Sequence, residues 1–250
     1  LKDLIEVMTL PREVTKMRLI FSRIALPCEI DSSFMNRYEK CLEGIKDLED
    51  ACSYANFLAQ FEQLKRLENL ALGFDYAEDR SSYLYHALAY AIVKRCKYIK
   101  DICINIQTLM EDEDFCVFDL NFLTQFLPKD IQKISLEIPT LGTRKVPMIP
   151  HMHNLKKLYV NVAVRMVRSR EHQDGIMQLL KAIGPLNLQH LEFKGADVKS
   201  LEAIMNPWNF KTIEYANFLD IDDTQEKTSP LKLVNMLVSK PYLTSFRLTF

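Results

Sequence analysis

The sequence predicts an α/β solenoid, a curved parallel sheet with helices on its convex side, preceded by a mainly helical N-terminal part. Three observations predict it. An apolar frame, L-x-x-L-x-L, occurs seven times, at Leu67/Leu70/Leu72, Ile99/Ile102/Ile104, Ile131/Ile134/Leu136, Leu155/Leu158/Val160, Leu188/Leu191/Phe193, Phe210/Ile213/Tyr215 and Leu243/Phe246/Leu248. Successive frames start 32, 32, 24, 33, 22 and 33 residues apart, which are repeat-protein periods. The longer steps also carry apolar residues at three- and four-residue spacing, the signature of a helix between strands.

Taken in order, residues 1–8 fit the end of a helix. Residues 10–24 open with Leu10-Pro11-Arg12-Glu13-Val14, and Val14, Met17 and Leu19 fit an earlier copy of the frame. Residues 32–66 carry a helical pattern that includes Phe34, Tyr38, Ile45, Phe57 and Phe61, with a break expected near residues 51–53 and an N-cap cluster at Asp31-Ser32-Ser33. The division expected is therefore 1–63 mainly helical and 64–250 repeats, stacked as a single solenoid over 1–250. Helices are expected at residues 82–96, 114–127, 174–183 (stopped by Gly184-Pro185) and 230–239, with at most a brief one at 198–205. Residues 139–154, with Pro139, Pro147 and Pro150, and residues 220–229 are expected as loops. In each frame the first residue lies in a turn and the next two point inward from a short strand. The residues between them then face the other way. No single strand–helix unit can bury its apolar side alone, so stacking must close the core. The frame that ends at Leu248 would leave an apolar edge, which more sequence or a partner is expected to cover.

Composition narrows the function classes. Lys plus Arg (32) and Asp plus Glu (33) nearly cancel, so no global field draws in nucleic acid or an anionic membrane. No apolar run reaches about 18 residues, so no membrane span is expected. Six cysteines without a C-x-x-C pair, and twelve Asn without an N-x-S/T sequon, favour an intracellular, reducing site in cytoplasm or nucleus. Six glycines form neither G-x-G-x-x-G nor G-x-x-x-x-G-K, which argues against a phosphate cradle. The sequence implies no cofactor and no small-molecule substrate.

The frames, their spacing and the intervening helices resemble those of leucine-rich repeats, over about residues 64–250. The chain departs from that family after the strand, where its usual Asn is replaced by Asp75, Gln107, Pro139, Ala163, Ala196 and Phe218. Irregular lengths without an Asn ladder are similar to the F-box leucine-rich adaptors. Residues 10–24 share with the F-box the start L-P-x-E-V and a following Ile20-Phe21, while the only tryptophan is the distant Trp208. The resemblance implies a non-catalytic scaffold that recognises a protein partner on its concave face, in its narrower form the substrate-recognition subunit of a ubiquitin ligase with a Skp1-type adaptor. The alternative is a structural subunit of a multiprotein or nucleoprotein assembly.

Candidate sites follow from alternation. The expected concave columns are Lys133, Ser135 and Glu137; Lys157, Tyr159 and Asn161; His190, Glu192 and Lys194; Thr212, Glu214 and Ala216; and Ser245, Arg247 and Thr249. Tyr159, an aromatic at the centre of a polar sheet, is the expected anchor. Arg165, Arg168 and Arg170, with Lys156 and Lys157 nearby, form the strongest basic cluster and a candidate anion site. No metal site is expected, because His151 and His153 lack further ligands nearby. Glu111-Asp112-Glu113-Asp114 is explained by the helix that follows it. No catalytic residue emerges, since there is no G-x-S-x-G and the cysteines occupy core-like positions, Cys103 excepted.

Overall fold

The computed structural model describes residues 10, 12–22, 52–75, 82–107, 118–119, 125–138, 141–142, 152–162, 188–196, 215–220, 230–241 and 243–249. Ten strands and three helices lie among them. They run β1 (Lys16–Ser22), α1 (Cys52–Glu62), β2 (Asn69–Asp75), α2 (Ser82–Arg95), β3 (Asp101–Gln107), β4 (Phe118–Asp119), β5 (Lys133–Ile138), β6 (Leu141–Gly142), β7 (Lys157–Val162), β8 (His190–Ala196), β9 (Tyr215–Asp220), α3 (Pro230–Val238) and β10 (Ser245–Thr249). Eight strands form one sheet in the order β1-β2-β3-β5-β7-β8-β9-β10, and every neighbouring pair is parallel. Sequential order in a parallel sheet requires each connection to leave the sheet plane and return on the same side.

The register explains the frame. Met17, Leu70, Ile102, Ile134, Leu158 and Leu191 align across six strands, and Leu19, Leu72, Ile104, Leu136, Val160 and Phe193 form the next line. The frame extends further than three positions. Phe74, Ile106, Ile138 and Val162, two residues beyond its end, are also buried. So are Leu64, Cys96 and Met152, three residues before its start. Phe57, Leu58 and Phe61 of α1 and residues 87–93 of α2 join the strand residues in one core, so these helices cover one face of the sheet. The Phe21 ring stacks on Phe74 at 5.1 Å and meets Phe57 edge-on at 6.5 Å.

At the entrance to the strands the backbone bonds to itself. The carbonyl of Thr15 accepts from the N–H groups of both Glu68 and Asn69. Glu68 accepts likewise from Lys100 and Asp101, Lys100 from Gln132 and Lys133, Gln132 from Lys156 and Lys157, and Lys156 from Gln189 and His190. Each strand entrance thereby satisfies two donors of the next, which meets the requirement that buried backbone groups be paired.

Three sequence expectations change. The sheet starts at β1, inside the part expected to be mainly helical. Met17 and Leu19 pair with Leu70 and Leu72, which is the frame reading of residues 10–24. Within residues 114–127, expected as a helix, Phe118–Asp119 is a strand paired to Leu141–Gly142 of the expected loop, and only Gln125 and Phe126 are helical among the described residues. Val117 and Phe118 are strand-favouring, and pairing supplies backbone partners that a helix would find locally. The third change is in β9. Ala216 aligns with Leu191 and Phe246, and Phe218 with Phe193 and Leu248. In register, Ala216 and Phe218 therefore take the second and third places of the sixth frame, in place of Ile213 and Tyr215. Two apolar frames overlap there three residues apart, and pairing with β8 selects between them.

Candidate binding face

The face of the sheet opposite the core is built by alternation. Along β5 and β7, Ile134, Leu136, Ile138, Leu158, Val160 and Val162 are buried, while Lys133, Ser135, Glu137, Lys157, Tyr159 and Asn161 are exposed or half-buried. His190, Glu192 and Lys194 continue the pattern in β8, and Ser245 and Arg247 are exposed in β10. No described helix packs over this face.

Tyr159 sits at its centre with neighbours on both sides. Lys133 places its ammonium 5.0 Å from the ring centroid, a favourable position over the aromatic quadrupole. On the other flank the His190 ring lies 4.9 Å away, tilted by 33°. Nε2 of His190 is 2.9 Å from Oε1 of Glu192. Register sets this cluster, because Lys133, Lys157 and His190 are aligned in one row and Tyr159 and Glu192 in the next.

Further along the strands, Glu137 accepts from Nδ2 of Asn105 at 2.6 Å and from Nδ2 of Asn161 at 3.4 Å. One carboxylate thus links β3, β5 and β7. Among the described residues, Oδ1 of Asn105 is buried without a hydrogen-bond partner. Just before the strands, the Glu68 carboxylate hydrogen-bonds Lys100 at 2.5 Å and holds that ammonium above its ordinary value.

The first three strands contribute residues beyond the expected columns, Cys103 alone among them having been expected on this face. Lys16, Met17, Arg18, Asn69, Ala71, Asp101, Cys103 and Lys133 are among the residues lining a depression of ≈ 370 Å³. The same alternation, applied to the frames at Leu67 and Ile99, places Ala71 and Cys103 on this face. Cys103 is exposed, whereas Cys96 is buried in the core and its thiol is pushed up to about 12 by desolvation.

The remaining sequence candidates divide as follows. Arg165, Arg168, Arg170, His151, Thr212 and Glu214, and the acidic run at 111–114, lie outside the described residues. In β9, register sets Tyr215, Asn217 and Leu219 level with His190, Glu192 and Lys194, in place of Thr212, Glu214 and Ala216. His153 is exposed in the turn before β7. Among the described residues no three His, Cys, Asp or Glu side chains are grouped to hold a metal ion, and no described helix is long and apolar enough to cross a membrane. Comparison of the chain with protein-family models and with curated proteins finds no match to either.

Proposed function

We propose that the chain is a non-catalytic binding scaffold, a leucine-rich-repeat solenoid that holds a protein partner on the exposed face of its sheet. The observation that supports this most is the half-buried Tyr159 at the centre of the polar face of β5, β7 and β8, flanked by Lys133 and His190 while the described helices of the core pack on the opposite side. A rigid aromatic set among long polar side chains supplies contact area at low entropic cost, and such residues carry a large share of interface energy. The polar neighbours give orientation and discrimination against wrong partners.

In its narrower form, the partner is the substrate of a ubiquitin ligase and the chain resembles an F-box adaptor. Residues 16–22 then serve as a sheet strand, so the Skp1-type protein would bind helices elsewhere in the full protein.

The test is affinity purification of the full-length protein beside two variants, Tyr159→Ala with Lys133→Ala, and Leu231→Arg with Val238→Arg on the exposed side of α3. The scaffold reading expects the first variant to lose its co-purifying proteins by about tenfold or more, as for a hot spot worth over ~1.4 kcal/mol. Undiminished recovery with the folded sheet-face variant, together with loss in the α3 variant, would move recognition to the helical side.

A further inference from the structure

The depression across β1, β2 and β3 has a chemistry of its own. Its floor carries short side chains, Asn69 and Ala71 from β2 and Cys103 from β3. Its walls carry long basic ones, Lys16 and Arg18 from β1 and Lys133 from β5. The floor continues through Ser135, which register sets between Cys103 and Tyr159. Arg18, Ala71, Cys103, Ser135 and Tyr159 therefore form one row over five neighbouring strands. At about 4.8 Å per strand, Arg18 and Tyr159 stand roughly 19 Å apart with three small residues between them. That gap takes about five or six residues of extended chain at ~3.3 Å each.

Charge selects what lies in it. Asp101 is the one acidic residue lining the depression, against Lys16, Arg18 and Lys133, and Lys157 follows Lys133 in the same row. Among the described residues, neither Lys16, Arg18 nor Lys157 has an ion-pair partner. The nearest acidic side chain of the third row, Glu137, is already engaged by Asn105 and Asn161. The excess of basic groups therefore lies along the first two rows.

The geometry points to a subsite for an extended acidic peptide segment of the partner, running across β1 to β7, with its carboxylates held by Lys16, Arg18 and Lys133. This rests on the scaffold reading and specifies its ligand. A flexible chain with alternating carboxylates can place one side chain at the β1 wall and another at Lys133 while its backbone crosses the small floor. The residues lining the depression include no aromatic side chain on which the bases of a single strand could stack, which favours peptide over nucleic acid.

Cys103 provides a reporter inside the subsite, because its thiol is open to solvent while that of Cys96 is not. The experiment uses the full chain with three octameric probes, octaglutamate, octaglutamine and a single-stranded octathymidylate. Binding is read by fluorescence anisotropy at low and high salt, and the rate of alkylation at Cys103 by peptide mapping. Octaglutamate is expected to bind, to slow Cys103 alkylation at least fivefold, and to weaken with salt, while octaglutamine does neither. Lys16→Ala with Arg18→Ala, both on the exposed edge strand, should weaken octaglutamate by tenfold or more with an unchanged circular dichroism spectrum. Tighter protection by octathymidylate would overturn the proposal in favour of nucleic acid, and no protection by any probe would overturn it outright. If the double variant retains partner binding that Tyr159→Ala abolishes, the subsite fails while the scaffold reading stands.

Discussion

Leu158 and Lys157 are adjacent in the chain and opposite in the fold, so a pair of alanine substitutions tests the architecture directly. Leu158 is 2% exposed, in the middle of the sheet between Ile134 and Leu191. Leu158→Ala removes three carbons, worth about 2.4 kcal/mol at ~0.8 kcal/mol per buried methylene, before any cavity is counted. Neighbouring strands on both sides limit collapse of the cavity, which places the total at about 3–5 kcal/mol. Lys157 is exposed on the other face, and Lys157→Ala should stay within about 0.5 kcal/mol of the parent. The assay is urea denaturation followed by far-ultraviolet circular dichroism, with thermal melting as a check. At about 2–4 °C per kcal/mol for a chain of this size, Leu158→Ala should lower Tm by roughly 6–20 °C. Leu158→Asp should prevent folding, since an unpaired buried charge costs several kcal/mol against a total of about 5–15. Equal effects at the two positions, or a loss under 1 kcal/mol at Leu158, would refute the assignment of faces.

Further outcomes follow from particular contacts. Gly73→Ala should be neutral or stabilising by up to about 1 kcal/mol in urea melts, because the added Cβ would meet Ile20 Cγ1 at an ordinary 3.6 Å. Phe21→Ala should cost about 3 kcal/mol by removing a ring stacked on Phe74, and limited proteolysis should then cut near β1 first; unchanged resistance would detach β1 from the core. In the native protein an alkylating reagent should modify Cys103 and spare Cys96 until denaturant is added. The neutral Cys96 thiol favours the folded state fully below its ordinary value of 9.0, and that contribution is lost as pH rises toward about 12. Alkaline melts of the parent should thus fall more steeply over that window than those of Cys96→Ala, and parallel curves would contradict the burial of the thiol.

Much of this fold was legible as periodicity. Alternation needs only local geometry, so Leu70, Ile102, Ile134 and Leu158 could be assigned to the core, and Lys133, Tyr159 and Asn161 to the opposite face, from spacing alone. The helices at Ser82–Arg95 and Pro230–Val238 were readable for the same reason. What periodicity could not do was choose between competing pairings. The apolar residues around β9 satisfy two frames, and only alignment of Phe218 with Phe193 and Leu248 decides between them. Residues 10–24 fitted a strand or an F-box start, and the pairing of β1 with β2 supplies the strand. Phe118–Asp119 sits in a helical pattern and is a strand because a distant segment, Leu141–Gly142, offers it a partner.

The candidate site divides the same way. Outside β9, spacing in the sequence sets which side chains leave the core, because the two-residue period of a strand is a property of the backbone. It could not set which of them stand side by side. Lys133 is separated by tens of residues from His190, and by more from Lys16, and only the register of parallel strands brings them to one surface. The Tyr159 cluster, the Asn105–Glu137–Asn161 bridge and the basic-walled depression are all contacts between strands. Their geometry depends on hydrogen-bond register across the sheet, which tertiary structure alone decides.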